Sequence, residues 1–379
     1  MTDCKSDSML SALPLLAMAL VAVPLIANAR EYRLEPGRDV FDGVQDRLLP
    51  GDTLLLAPGQ VYHETLLLRK GGTAAKPITI RGNGAVISGL TPIADDSWQD
   101  RGDGLYFFPN DRSKGANDPQ AYDALRRRLT PDVQKQRSLQ VAELAKGQAL
   151  WKADGLWFRT ADGRPPTGIC GTMLGEGVKL LSGAGYVIVE NLVCEYVAND
   201  GFNAHGSCPG LVFRDITGRF CGDEGISVHE DVTMAVYNGR FHHCGNGFTD
   251  ICASQTAYYG CTSESNRYFG AQFNGGHHVL VDCVFRDNPS FHLQFNSGKI
   301  SGSYGYSEDG AACPALSGGG FLKRVTFAGT SGVDLKVMGV ARVHAADCSF
   351  SNGERGVVRA SKAVFTASAC KDDRRGDVR

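Results

Sequence analysis

The sequence predicts an all-β solenoid, and three observations lead there. Seven-residue segments recur about every 23 positions, strand-like segments between them recur at the same step, and no segment carries a helical period. The first set reads DGFNAHG from Asp200, EGISVHE from Glu224, NGFTDIC from Asn246, FGAQFNG from Phe269, FHLQFNS from Phe291 and SGVDLKV from Ser331. Their second residues, Gly201, Gly225, Gly247, Gly270, His292 and Gly332, are spaced by 24, 22, 23, 22 and 40 positions, and the last step contains an insertion. The second set reads YVIVENLV from Tyr186, LVFRDIT from Leu211, AVYNGRF from Ala235, HVLVDCVF from His278 and FLKRVTF from Phe321. β-Branched and aromatic residues fill both sets, with Gly, Asn and Asp at the turns. A unit this short cannot bury its own apolar face, so it must stack on its neighbours.

The elements follow in chain order. Residues 9 to 27 are continuously apolar, and Ala27-Asn28-Ala29 supplies the small-x-small triplet that signal peptidase reads. Residues 1–29 therefore read as an export signal, the mature chain begins at Arg30, and the expected location is secreted or periplasmic with no membrane span remaining. Val40, Phe41, Val44, Leu48 and Leu49 share one helical face, which suits a helix capping the open first coil. Residues 50 to 89 read as opening coils. Residues 110–149 read as a charged, helix-like insertion, with Arg126, Arg127 and Arg128 facing an anionic polymer if it borders a groove. Residues 298–320 form a loop too long for a turn, with Tyr304 and Tyr306 as sugar-stacking rings. One solenoid domain thus spans residues 30–370, followed by a charged tail at 371–379.

Charge narrows the partners. The 379 residues hold 39 Lys+Arg against 41 Asp+Glu, a net of −2, which leaves no basic footprint for a nucleic acid. A monomer is expected. Removing the leader leaves 11 of the 12 cysteines, without a CxxC pair or zinc spacing, and most read as small buried hydrophobes.

GDTLLLAPGQVY followed by GGTAAKPITI resembles the opening coils of right-handed parallel β-helix proteins of the pectate-lyase-like class, nearest the alginate lyase and chondroitinase B group. That resemblance implies a right-handed parallel β-helix, a polysaccharide lyase activity and an acidic polysaccharide or oligosaccharide as partner.

Strand alternation separates the two faces. Phe202, Ile226, Phe248, Ala271, Leu293 and Val333 point inward, as do Ala204, Val228, Phe273, Phe295 and Leu335. Two outward columns remain: Asn203, Ser227, Thr249, Gln272, Gln294, Asp334, and beside it His205, His229, Ile251, Asn274, Asn296, Lys336. A plain polar ladder accounts for the amides taken singly. It accounts less well for two imidazoles about 5 Å apart, whose mutual repulsion keeps one neutral and fit to act as a base.

For β-elimination on a uronate, His205 or His229 is the expected base and Arg267 or Lys336 the charge neutraliser. Asn203, Gln272, Asn274, Gln294, Asn296, Tyr268 and His292 make up the substrate-binding set, with the Tyr268 phenol as a proton relay. Asp250 falls in an inward column, so either a bulge turns it outward as a catalytic carboxylate or it is hydrogen-bonded inside. Asp200, Glu224 and Glu230 offer oxygen ligands for Ca²⁺, while Asp223 and Asp231 read as turn formers.

Two other functions compete with the lyase. Asn199-Asp200-Gly201-Phe202 is similar to the Asn-Thr-Asp-Gly element of polygalacturonases, and Asp223-Glu224 resembles their paired aspartates. That family's Gly-His-Gly is here Gly245-Asn246-Gly247, and its Arg-Ile-Lys element is absent. The third function is a non-catalytic polysaccharide-binding platform.

Overall fold

Three parallel sheets wrap one apolar interior in the computed structural model, which describes residues 29–37, 40–110, 119–298, 318–329, 333–350, 356–372 and 376–378. The first sheet stacks Leu66–Leu68, Val178–Leu180, Phe202–Ala204, Glu224–Val228, the leading halves of Asn246–Tyr259 and Phe269–Val281, Phe291–Ser297, Val333–Gly339 and Val357–Arg359. The trailing halves of the two long strands join Ser207–Arg214, Asp231–Tyr237, Gly319–Lys323 and Arg342–Ala346 in a second sheet. Short strands such as Thr217–Arg219, Arg240–His242 and Thr262–Glu264 make the third. Each coil therefore contributes one strand to each sheet, and the turn is right-handed, the hand that parallel crossover connections adopt.

Equivalent residues stack through the core. Phe202, Ile226, Phe248, Ala271, Leu293 and Leu335 form one inward column, all fully buried. Phe285, Phe327 and Phe350 form another on the third sheet, with ring centroids 5.6 and 5.0 Å apart. Two corners recur, and the first explains the Asn, Asp and Gly punctuation. Between the second and third sheets, Asn191, Asp215, Asn238, Gly260 and Asp282 each turn the chain with φ between 51° and 62°. Between the third and first, Tyr196, Phe220, His243 and Ser265 do the same, and each is followed by a member of a buried ladder: Val197, Cys221, Cys244, Asn266. Asn266 continues this ladder to Asn288, donating from Nδ2 to its Oδ1 at 3.0 Å.

Three expectations need correction. Among the described residues of the stretch 110–149, no helical insertion is formed beyond one short helix. Residues 111–118 lie outside the described part, and Val133–Ser138, six residues long, is the only α-helix described. The excursion between Ile78–Ser88 and Val178–Leu180 is instead antiparallel β. It comprises Gln99–Asp100, Leu105–Pro109, Gly155–Arg159 and Gln148–Lys152 in one sheet, and Leu90–Pro92, Cys170–Thr172 and Ala121–Tyr122 in another. Its own core of Ile93, Trp151, Leu156 and Phe158 supplies the packing that overrides helix propensity. Arg127 and Arg128 pair with Asp123 and Asp132, both at 2.6 Å, and Arg126 reaches Cys170 Sγ.

The first coil is covered without a capping α-helix. Phe41, Val44 and Leu48 are buried over it around a single 3₁₀ turn at Gln45–Arg47, whereas Leu49 is exposed.

The last repeat is shifted by two residues. Leu335 pairs with Leu293 and Lys336 with Gln294, so Lys336 belongs to the Asn203 column and Asp334 turns inward beside His292. A two-residue slip preserves strand parity, so alternation alone cannot detect it.

The leader to residue 28, with Tyr304 and Tyr306, lies outside the described residues. Among those described, no helix is long and apolar enough to cross a membrane. Among the described residues, Cys194, Cys221, Cys244, Cys261 and Cys283 are free and buried.

Candidate active site

Each coil enters the first sheet through the corner after Tyr196, Phe220, His243 or Ser265. Backbone hydrogen bonds there lay Asn199-Asp200, Asp223-Glu224, Gly245-Asn246 and Arg267-Tyr268 over one another, through Asp223 N to Asn199 O at 3.0 Å, Asn246 N to Asp223 O at 3.0 Å and Tyr268 N to Gly245 O at 3.0 Å. The flush stacking needs glycine at the next position, because a Cβ on Gly247 would lie 2.0 Å from Ser263 Oγ and 2.2 Å from the Gly270 carbonyl.

The corner gathers three carboxyl groups. Asp200 and Glu224 are buried, Asp223 is half-buried, and one oxygen from each lies within 4.8 Å of the others. The Asp200 carboxylate accepts from the Glu224 backbone N–H at 3.0 Å, from Asn199 Nδ2 at 3.3 Å and from Asn203 Nδ2. Glu224 Oε1 accepts from Asn246 Nδ2 and Thr249 Oγ1, both at 2.9 Å. Asp223 Oδ1 accepts from Asn246 Nδ2 at 3.1 Å.

Burial pushes Asp200 up to about 7, and the charge of Asp223 adds to the effect. Burial pushes Glu224 up to about 8, and the neighbouring Asp200 carboxylate adds to that. The two carboxyls are hydrogen-bonded to each other and share a proton near neutrality, because two buried negative charges in contact are costlier than one.

Arg267 and the excursion border this cluster. The Arg267 guanidinium donates from Nη2 to the Gly222 carbonyl, one peptide from Asp223, and stands over the Tyr268 ring at 5.8 Å. Tyr122, from the excursion, packs edge-on against Tyr196 at 5.1 Å. Burial raises its phenol, and the charges of Arg267 and Arg128 oppose the rise.

Further along the same strands, His205 and His229 stand on neighbouring coils with ring centroids 4.1 Å apart. Burial, then the charge of His205, lowers His229 to about 3. Its Nε2 lies 3.0 Å from Ser227 Oγ, and Glu230 Oε2 lies 3.5 Å from His205 Nδ1.

The remaining candidates scatter. Asp250 faces the interior, fully buried, accepting from Thr256 Oγ1 at 2.6 Å and from Tyr258 OH at 3.0 Å. It is therefore the hydrogen-bonded alternative and no catalytic carboxylate, because Thr256 and Tyr258 arrive from the second sheet to satisfy it. His292 is also interior, at the glycine position of its coil and 3.9 Å from Asp334, so it cannot touch substrate. Asn274 is buried, while Gln272, Gln294 and Asn296 are half-buried along the outer face.

Lys336 holds its ammonium 4.2 Å over the Phe291 ring, and burial lowers its pKa. Four coils separate it from Ser227, or about 19 Å at ~4.8 Å per coil. The calcium set of Asp200, Glu224 and Glu230 also divides, for Glu230 groups with the histidines and Asp223 takes its place. The turn role expected for Asp223 is incomplete, and Asn246 and Thr249 are additional members. Their signal lay in the common step, which sets Asn246 directly over Glu224.

With the coil register and its corner in view, the architecture is decided. The fold is that of the right-handed parallel β-helix proteins. No family model and no curated protein matches the sequence. Over 90% of its length the chain is similar to XylC, solved with xylose, at a TM-score of 0.55 and 10% identity over 68% of that chain. The pectate lyase Pel9A aligns with a TM-score of 0.48 and 12% identity, over 92% of this chain and 81% of that one. Endopolygalacturonase I from Stereum purpureum, complexed with galacturonate, aligns at 0.35 and 12% identity, over 89% and 93%. At these identities the likeness is one of fold.

Proposed function

We propose that this β-helix is an exported enzyme that hydrolyses glycosidic bonds of an acidic polysaccharide at the Asp200, Asp223 and Glu224 cluster. The observation that carries the reading is the contact of two buried carboxyls, Asp200 and Glu224, with a third, partly exposed carboxylate, one oxygen of each lying within 4.8 Å of the others. Glycoside hydrolysis needs one carboxyl protonated near neutrality and a second ionised. Glu224 keeps its proton at pH 7 and donates it to the departing glycosidic oxygen. Asp200 accepts that O–H in the resting state and so fixes where the proton sits. Asp223 is the ionised partner: with one of its oxygens within 4.8 Å of Glu224, the pair has the close spacing of the retaining arrangement, in which the carboxylate attacks the sugar and water then releases it. Arg267 supplies a cation for a uronate carboxylate. The expected export signal and the likeness of fold to XylC, solved with xylose, support this reading.

The lyase alternative is less well served. β-Elimination needs a base near neutrality beside a charge neutraliser. Of the expected bases, burial lowers His229 well below its ordinary range, and of the expected neutralisers, Lys336 lies four coils from its rung.

Pectate, alginate, xylan and glycosaminoglycans should be incubated with the protein while reducing ends and the ultraviolet absorbance of unsaturated uronates are followed together. Hydrolysis raises reducing ends alone. Asp223→Asn and Glu224→Gln should each lower turnover by about 10²–10⁴ with the fold retained. Unsaturated product, or a Glu224→Gln variant working at the wild-type rate, overturns the proposal.

A further inference from the structure

The first sheet carries a second cluster, beyond Asn203 and Ser227 from the carboxyl groups. His205 and His229 occupy the same column on adjacent coils, fixed by backbone bonds from His205 N to Leu180 O and from His229 N to Ala204 O, each 2.9 Å. Glu230 follows with φ of 59°, a conformation that costs a non-glycine residue ~1 kcal/mol or more. This turns its carboxylate back onto the coil below, where Oε2 accepts from Gly206 N–H at 2.8 Å and lies 3.5 Å from His205 Nδ1. Ser227 Oγ lies 3.0 Å from His229 Nε2 and so fixes the second ring. Each of the three residues is half-buried, and one nitrogen or oxygen donor from each falls within 4.8 Å of the others.

We propose that His205, His229 and Glu230 form a binding site for a first-row divalent metal, with zinc as the best-matched ion. Two imidazoles and one carboxylate suit zinc, whereas calcium takes six to eight oxygens and is a poor match. Bonds of about 2.0–2.2 Å in a tetrahedron set neighbouring donor atoms roughly 3.4 Å apart. The 3.5 Å between His205 Nδ1 and Glu230 Oε2 already has that span.

The supporting groups are in place: Gly206 N–H orients the carboxylate and Ser227 orients the second imidazole. The cation bearing on His229, Lys179, is balanced by Glu176 at 3.0 Å. Partial exposure of all three residues gives the ion a path in and leaves the fourth position to water. The proposal stands apart from hydrolysis at the carboxyl cluster, because binding is read without substrate.

The test uses the full chain, freed of any affinity tag, stripped with chelator and dialysed. Calorimetry with Zn²⁺ and visible spectroscopy with Co²⁺ should each show one strong site, with the intense visible bands of tetrahedral cobalt and no thiolate charge-transfer band. His205→Ala and His229→Ala should each weaken binding at least about 100-fold, and Glu230→Gln at least about tenfold. His277→Ala, an exposed imidazole elsewhere, should leave binding unchanged. If either alanine variant fails to fold, His205→Gln and His229→Asn serve in its place. Absence of binding tighter than about 1 mM, ~4 kcal/mol at most, overturns the proposal. So does a thiolate band, or affinity that survives loss of both histidines or disappears with Asp223→Asn.

Discussion

Replacing Glu224 by Gln should make the protein more stable above neutral pH while abolishing its proposed chemistry. The Glu224 carboxyl titrates near 4.5 in the unfolded chain and at about 8 when folded, chiefly because burial disfavours its charge. Below pH 4.5 both states are protonated and the group is neutral to stability. As pH rises from 4.5 to 8 the unfolded chain ionises and the folded one does not, so stability falls by ~1.36 kcal/mol per unit and levels off above 8. The accumulated penalty is about 1 kcal/mol at pH 5 and about 4 kcal/mol at pH 8, counting one group because Asp200 shares the proton.

A glutamine at 224 keeps the geometry: its Oε1 accepts from Asn246 and Thr249, and its Nε2 donates to Asp200. The variant should therefore exceed wild type by about 1 kcal/mol at pH 5 and by about 4 kcal/mol at pH 8, a gain of order 1 M in urea midpoint at the higher pH. Urea unfolding followed by far-ultraviolet circular dichroism at the two pH values measures this. A variant that is weaker at both values, or that keeps the wild-type slope, would show that Glu224 is ionised in the folded protein.

Phe248→Ala should cost about 3–5 kcal/mol, because this fully buried ring packs against Phe241, Tyr258, Phe273 and Phe285 across three sheets. A shift in unfolding midpoint of less than about 1 kcal/mol would refute that packing. Cys194, Cys221 and Cys261, buried and with thiols raised well above their ordinary range chiefly by burial, should resist iodoacetamide in the native protein and react in urea. Peptide mass mapping after each treatment reads the result, and native labelling at any of the three would contradict the interior placement.

Much of the architecture is local in origin. A step of 22 to 24 residues, strand alternation and Asn, Asp or Gly corners are short-range properties, and they sufficed to place Phe202, Ile226, Phe248, Ala271 and Leu293 inside and to set His205 beside His229. Other features depend on how the chain folds back on itself in space. The two-residue shift that moved Lys336 and Asp334 leaves alternation intact, so only pairing with Phe291–Ser297 reveals it. Asp250 is tolerated in the core because its own strand bends into the second sheet and brings Thr256 and Tyr258, six and eight residues on, back to bond it. The excursion takes β structure from its own packing against sequence propensity. The protonation of Asp200 and Glu224 is likewise absent from any single coil. It arises when adjacent coils bury two carboxyls in contact, since solvent exclusion and mutual repulsion are properties of the stack.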